Sequence, residues 1–324
     1  MDRRQFISVA GLSLLTTPGA AHAQAGKVAR IVVLSPGEKP TRFLDVFRQA
    51  LRERGWVEGE NLKLEVRLGG EDYTRLRALA DEAVRTNPDV IVAASAPAAQ
   101  AAKAATTTIP VVFHTLNDPV RTGLVASFGR PGGNLTGNAG LGPELDRKRL
   151  ELLKEVVPGL TRVAVLLNPG NLMTPPRVME TEESARVLKV EVSVLKASSG
   201  GELDRALEAI GKSRPGGVVL FDDPIFFFHR TRIIAAMAKY QIPAVYSQWG
   251  WVQQGAFMEY APNQLEMYRQ VASYVDRILR GTKPADLPIE QPTKFELAIN
   301  VKTAKALGLT IPQTLLQRAD QLIE

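Results

Sequence analysis

Apolar positions recur along this chain with two different periods. Phe43, Val46, Phe47, Ala50 and Leu51 follow the i, i+3, i+4, i+7, i+8 spacing of one helical stripe, and Leu76, Leu79, Ala80, Ala83 and Val84 repeat it. Between these stripes Leu62, Leu64, Val66 and Leu68 alternate with polar residues, which predicts a strand near a sheet edge. Residues 90–94 are apolar throughout, like a strand covered on both sides. The second half predicts strand 163–167, a helix ending near Leu188, strand 190–195, helix 203–210, strand 218–221, helix 225–240 and strand 244–246. Strands alternating with helices across short connections predict an α/β fold whose parallel sheets are wound on both faces.

The pattern occurs twice. Arg30-Ile31-Val32-Val33-Leu34-Ser35-Pro36-Gly37 is echoed by Arg162-Val163-Ala164-Val165-Leu166-Leu167-Asn168-Pro169-Gly170, displaced by 132 residues. Asp89-Val90-Ile91-Val92 pairs with Gly217-Val218-Val219-Leu220, and Ile109-Pro110-Val111-Val112-Phe113 with Ile242-Pro243-Ala244-Val245-Tyr246. Three short runs in one order at nearly one spacing predict a duplicated unit, hence two Rossmann-like lobes. A further amphipathic helix (Tyr268, Val271, Ala272, Val275, Ile278, Leu279), an alternating strand over 295–301 and a short helix near 304–307 have no counterpart in either copy. Placed across the lobes, they make the chain cross at 136–141, 260–263 and 288–293, forming a multi-strand hinge. The division is 27–138 plus 263–293 for the first lobe and 139–262 plus 294–324 for the second.

The first residues carry an address. Arg3 and Arg4, Phe6, a mildly apolar stretch from Val9 to Thr17, Pro18 and the small-residue site Ala21-His22-Ala23 compose an export signal over 1–23, with the paired arginines of the twin-arginine type. Beyond it no run of about 18 strongly apolar residues spans a bilayer. The mature chain is therefore expected as a soluble, monomeric periplasmic protein. The absence of cysteine excludes disulfides, thiol nucleophiles, Cys-ligated metals and a lipid-modified N-terminal Cys. The formal charge of +6 is spread without a basic run or an aromatic-basic ladder, so no nucleic-acid partner is expected.

Ligands of open parallel sheets bind beyond the carboxyl ends of the strands. Two facing lobes then enclose a cleft walled by 35–38, 95–98 and 114–118 on one side and 168–172, 222–226 and 247–251 on the other. The candidate ligand-binding residues are Ser35, Ser95, Ala96, His114, Asn117, Asp118, Asn168, Asp222, Tyr246 and Tyr260. Ser95 with Pro97 reads as a helix N-cap that turns free N–H groups toward an anion. Asn117, Asp118, Asp222 and Asp223 suit an amino group; Tyr246, Trp249, Trp251, Tyr260 and the run Phe226 to Phe228 suit an apolar or aromatic part. Plainer readings stand beside these. Asp118 before Pro119 is a common turn, and at least two of the three phenylalanines are expected against the sheet.

Little points to catalysis or to a cofactor. His114 and His229 are too few for a three-His zinc site, the P-loop and nucleophile-elbow motifs are absent, and adjacent Asp222 and Asp223 at a strand end point apart. The segments 48–59, Asp118-Pro119-Val120, Gly123 to Ser127, Arg130-Pro131-Gly132-Gly133-Asn134-Leu135-Thr136-Gly137 and Gln291-Pro292-Thr293-Lys294-Phe295-Glu296-Leu297 onward resemble the ABC transporter substrate-binding protein family of the TrpX type. The resemblance covers essentially the whole mature chain. It implies a type I periplasmic-binding-protein-like fold, a small-molecule ligand such as an amino acid or aromatic compound, no catalysis, and delivery to an ABC permease and its ATPase. The chain departs from many relatives at Ala94-Ser95-Ala96, where they carry Gly-Thr before the Pro, and at His114, where they often carry a small or apolar residue. A periplasmic sensing module on the same fold is the alternative reading.

Overall fold

The computed structural model describes residues 28–39, 41–140 and 142–324; the export signal read at 1–23 lies outside them. The first sheet contains β1 (Ala29–Ser35), β2 (Leu62–Leu68), β3 (Val90–Ala93), β4 (Val111–Thr115) and β5 (Leu135–Ala139), all parallel, in the order β2-β1-β3-β4-β5. The second contains β6 (Arg162–Leu167), β7 (Glu191–Lys196), β8 (Gly217–Leu220), β9 (Ala244–Tyr246), β10 (Met258–Pro262), β11 (Phe295–Asn300) and β12 (Gln321–Ile323). Its order from the far edge is β7-β6-β8-β9-β10-β11-β12, antiparallel only between β10 and β11. The first five positions repeat the order of the first sheet, so the duplication read in the sequence is a duplication of topology.

The helical stripes do what their spacing predicts. In α1 (Arg42–Glu53) the residues Leu44, Phe47, Ala50 and Leu51 are buried, and in α2 (Thr74–Arg85) Leu76, Ala80 and Ala83. Helix α1 and α9 (Gln264–Leu279) cover one face of the first sheet through Phe47, Leu51, Val271 and Val275; α2 and α3 (Ala96–Ala105) cover the other. In the second sheet α6 (Gly200–Ser213) and α8 (Arg230–Tyr240) pack on one face, and α4 (Gly142–Val156) with α10 (Val301–Ala306) and α11 (Gln313–Arg318) on the other. Helix α5 (Thr174–Val187) lies against α4 and β7. Asn263 Oδ1 accepts from Glu266 N at 3.0 Å to start α9, and Gly281 at φ +102° follows its end. Thus α9 returns to the first sheet, while β11 and β12 extend the second.

The chain passes between the sheets after β5, after β10 and over 288–294. Alongside β5, Thr136 Oγ1 donates to the Leu287 carbonyl at 2.7 Å and Ala139 N to Glu290 O at 3.0 Å, so these passages are tied together. The helix expected over 225–240 is divided. A short α7 (Pro224–Phe228) and α8 meet at His229, whose backbone departs from helical values. This turn releases two rings. Only Phe226 joins the core beneath the sheet, whereas Phe227 and Phe228 turn into the cleft, correcting the expectation that at least two of the three pack inward.

Candidate functional site

The carboxyl ends of the two sheets face each other across a cavity of about 80 Å³. Six of the ten candidate residues line it: Ser35, Ser95, Ala96, His114, Asn117 and Asp222. Thr41, Phe43, Asn171, Phe227, Phe228, Gln248, Gln264 and Tyr268 complete much of the wall. Four candidates lie elsewhere, each for a local reason. Asp118 accepts from Val120 N at 2.8 Å and Arg121 N at 3.1 Å, which is its turn role. Asn168 turns away to donate to Asp223 at 3.0 Å. Tyr246 stacks on Trp251 inside the second core, with centroids 4.5 Å apart, and Tyr260 packs against Phe295.

The polar wall is held by a buried ionic chain. Asp222 Oδ1 receives Arg177 Nη1 at 2.8 Å; Arg177 also donates to both oxygens of Asp146, at 2.6 and 2.8 Å; Asp146 receives Arg149 Nη1 at 2.7 Å. Arg149 then donates to the carbonyls of Tyr260 at 2.9 Å and Ser247 at 3.3 Å. Burial pulls the Arg177 guanidinium down, but Asp146 and Asp222 outweigh it and hold the pKa above the usual arginine value. Two arginines against two aspartates balance in charge, and the chain runs from the cavity to strand ends beside the passages between sheets. Asp223 points away from Asp222, as adjacent residues at a strand end should. It accepts from Tyr73, Asn168, Asn171 and the Ile225 N–H.

At the opposite wall Ser95 caps α3 by accepting from Ala98 N at 3.2 Å. Ala99 N takes the Ser95 carbonyl and Pro97 has no N–H, so the first turn leaves a single free donor, the N–H of Ala96, at the positive end of the helix. Burial keeps His114 neutral, with its pKa lowered to about 4. Asp222 is the one acidic side chain lining the cavity among the described residues. Two buried oxygens there are unpartnered: Asn117 Oδ1 and Gln264 Oε1. Two unpartnered acceptors favour a ligand that brings N–H groups to them.

An aromatic wall adjoins the polar one. Phe43 stacks on Tyr268 at 5.1 Å and lies 6.0 Å from Phe227, which meets Phe228 edge to face at 6.1 Å. Phe228 closes directly over Gly37, at φ +94°, where a Cβ would stand 2.3 Å from the ring. Phe43, Phe227 and Phe228 also border an outer recess of about 670 Å³ lined by Arg42, Glu71 and Trp249. Sequence reading assigned Phe43 and Tyr268 to core stripes and passed over Gln264. Its signal was its place: it follows the capping Asn263 in a segment read as a crossing.

A duplicated sheet topology with a lined cavity between facing strand ends defines a two-lobed ligand-binding protein of the periplasmic-binding-protein type. The chain belongs to the ABC transporter substrate binding protein family, whose model matches residues 28–323. It is 28% identical over 265 residues to the tyrosine-binding protein of Clostridioides difficile (strain R20291), covering 81% of this chain and 75% of that one. Among solved structures it is similar to a conserved domain protein of Vibrio cholerae (TM-score 0.84, 29% identity, 91% of this chain and 100% of that one). It also superimposes on an ABC domain from Streptococcus pneumoniae in complex with L-Trp (TM-score 0.82, 23% identity, 91% and 99%). The family is one of binding proteins rather than enzymes. No helix among the described residues is long and apolar enough to cross a membrane.

Proposed function

We propose that this chain is the extracytoplasmic receptor of an ABC transporter for an α-amino acid with an aromatic side chain. The observation that carries the reading is the pair of unpartnered oxygens, Asn117 Oδ1 and Gln264 Oε1, in a cavity that is also lined by Asp222, whose Oδ1 is held by Arg177 at 2.8 Å. An α-ammonium group supplies donors to those two oxygens. The α-carboxylate takes the Ala96 N–H and the positive end of α3. The rings of Phe43, Phe227 and Tyr268 offer a surface for an aromatic side chain, and the names of the tyrosine- and tryptophan-bound relatives support that class.

Binding couples to closure of the bodies 27–138 plus 263–293 and 139–262 plus 294–324 about the three passages. The closed form, read by a membrane permease with its ATPase, hands over the ligand. The segment 1–23 directs the protein to the periplasm. Isothermal titration with amino acids, sugars and dicarboxylates tests the reading. Aromatic amino acids are expected to bind saturably, and Asp222→Asn to weaken them at least about tenfold, the scale of one charged hydrogen bond. A response to sugars or dicarboxylates alone overturns it.

A further inference from the structure

His114 sits on β4 where the strand's two faces diverge. Phe113 joins the core under α2 and α3, while His114 turns to the α9 face and lines the cavity. Its Nδ1 lies 2.9 Å from Asn138 Oδ1. The Asn138 amide has one sense only. Its Nδ2 donates to the Met267 carbonyl at 2.6 Å, and a turned amide would place oxygen against oxygen. Asn138 Oδ1 is therefore the acceptor and His114 Nδ1 carries the proton. In a neutral ring Nε2 then holds a lone pair, and no hydrogen bond reaches it from the described residues.

The imidazole belongs to the aromatic wall of the cavity. The His114 ring is 4.7 Å from Tyr268, which stacks on Phe43. Asp222 and Asn117 line the same cavity, and the Asp222 charge is near enough to act on the imidazole. The Asn117 amide is oriented in the same manner: its Nδ2 faces Asn171 Oδ1 at 3.3 Å, and that oxygen also accepts from Met173 N. A ligand whose head group is held at the polar end thus lays its side chain along rings that contain one acceptor.

We propose that His114, fixed as the Nδ1–H tautomer by Asn138, reads the ligand side chain through Nε2 and selects rings that bear an N–H or O–H donor over an unsubstituted benzyl ring. This rests on the amino-acid reading above and names the specificity within it. Asn138 acts as a positioning residue. An aromatic side chain without a donor excludes water from Nε2 and supplies nothing in return, and an unpartnered buried acceptor lowers affinity by roughly tenfold to a hundredfold.

Two measurements on the full chain test this. Isothermal titration with L-tyrosine, L-tryptophan and L-phenylalanine is expected to give at least about tenfold weaker binding of phenylalanine, with the ratio collapsing toward unity in His114→Phe. Nitrogen-15 NMR of histidine-labelled protein reads the tautomer directly. The chain has three histidines, and the signal lost in His114→Phe identifies the relevant one. A protonated Nδ1 with an unprotonated Nε2 that shifts on adding tyrosine is the expected result. A proton on Nε2 overturns the proposal without any ligand data. If all three amino acids bind within a few fold of one another, the His114 proposal falls and the amino-acid reading stands. If none binds, the amino-acid reading falls and takes the proposal with it.

Discussion

The Tyr73 hydroxyl donates to Asp223 Oδ1 over 2.5 Å, joining the start of α2 on one side of the cleft to the cap of α7 on the other. The other three donors to Asp223 come from its own side, Asn168 at 3.0 Å, Asn171 at 3.2 Å and the Ile225 N–H at 3.2 Å. Of the four bonds to this carboxylate, opening the cleft breaks only the one from Tyr73 and leaves three in place. Burial raises the Tyr73 hydroxyl's pKa, and the Asp223 charge raises it further, which keeps it a donor.

Removing that hydroxyl should act on closure. In Tyr73→Phe the closed form loses a hydrogen bond to a charged group, worth about 1.5–3 kcal/mol. The expected outcome is a ligand Kd at least about tenfold higher, together with a larger radius of gyration of the ligand-free protein in X-ray scattering. An unchanged Kd would show that Tyr73 contributes nothing to the closed state.

Arg177 should matter to stability rather than to closure. Its guanidinium is fully buried between Asp146 and Asp222 and lies over the Phe221 ring at 4.1 Å. Arg177→Met leaves both carboxylates short of a partner in a buried site, a loss of about 3–5 kcal/mol. Arg177→Lys should recover only part, because an ammonium cannot span the two oxygens of Asp146 in a fork. Urea denaturation of the three proteins decides it, and a Lys variant as stable as the wild type would refute the bidentate argument.

Gly137 is a position where the backbone leaves no room for a side chain. A Cβ there would stand 2.0 Å from the Phe113 carbonyl oxygen and 2.8 Å from its carbon, between two hydrogen-bonded strands. Gly137→Ala must part β4 from β5 just ahead of a passage between the sheets. The expected destabilisation is about 2 kcal/mol or more by urea denaturation. A change within about 0.5 kcal/mol would mean the strands yield freely.

What the sequence disclosed followed from periodicity. The stripes of α1 and α2, the covered strand β3 and the duplication were legible because burial on one face writes a repeat into the chain. Strand β5 was not, because Leu135-Thr136-Gly137-Asn138-Ala139 has neither alternation nor a β-branched run; its pairing with β4 makes it a strand. Helix α11 and edge strand β12 are too short to carry a period, and β10 was read only as a crossing. The site divides along the same line. Ser95, His114, Asn117 and Asp222 stand at strand ends, where order along the chain predicts position. Phe43 and Tyr268 hold helical spacing like any core residue, and nothing local marks the beginning of a stripe that emerges into a cavity. Tyr246 erred the other way, since an aromatic at a strand end was as ready to stack on Trp251 as to meet a ligand.

His114 should also make stability depend on pH. Burial lowers its pKa from the usual 6.5 to about 4, against opposing pulls from Asn138 and the Asp222 charge. Between those values the unfolded chain binds a proton that the folded chain refuses, so stability rises with pH across this window and is lost as pH falls from about 6.5 toward 4. The difference corresponds to about 3 kcal/mol at most. Asp223 and Glu259, whose carboxyls burial pushes upward, act with the opposite sign. Both are present in His114→Phe, so they cancel when the two proteins are compared. The lost bond to Asn138 lowers the variant's stability by an amount that does not vary with pH. Unfolding free energies at pH 7 and pH 4.5 should therefore fall further in the wild type than in the variant, by about 2 kcal/mol. Parallel losses would mean that the imidazole accepts its proton in the folded state, and a charged ring there would present Nε2 as a donor rather than an acceptor.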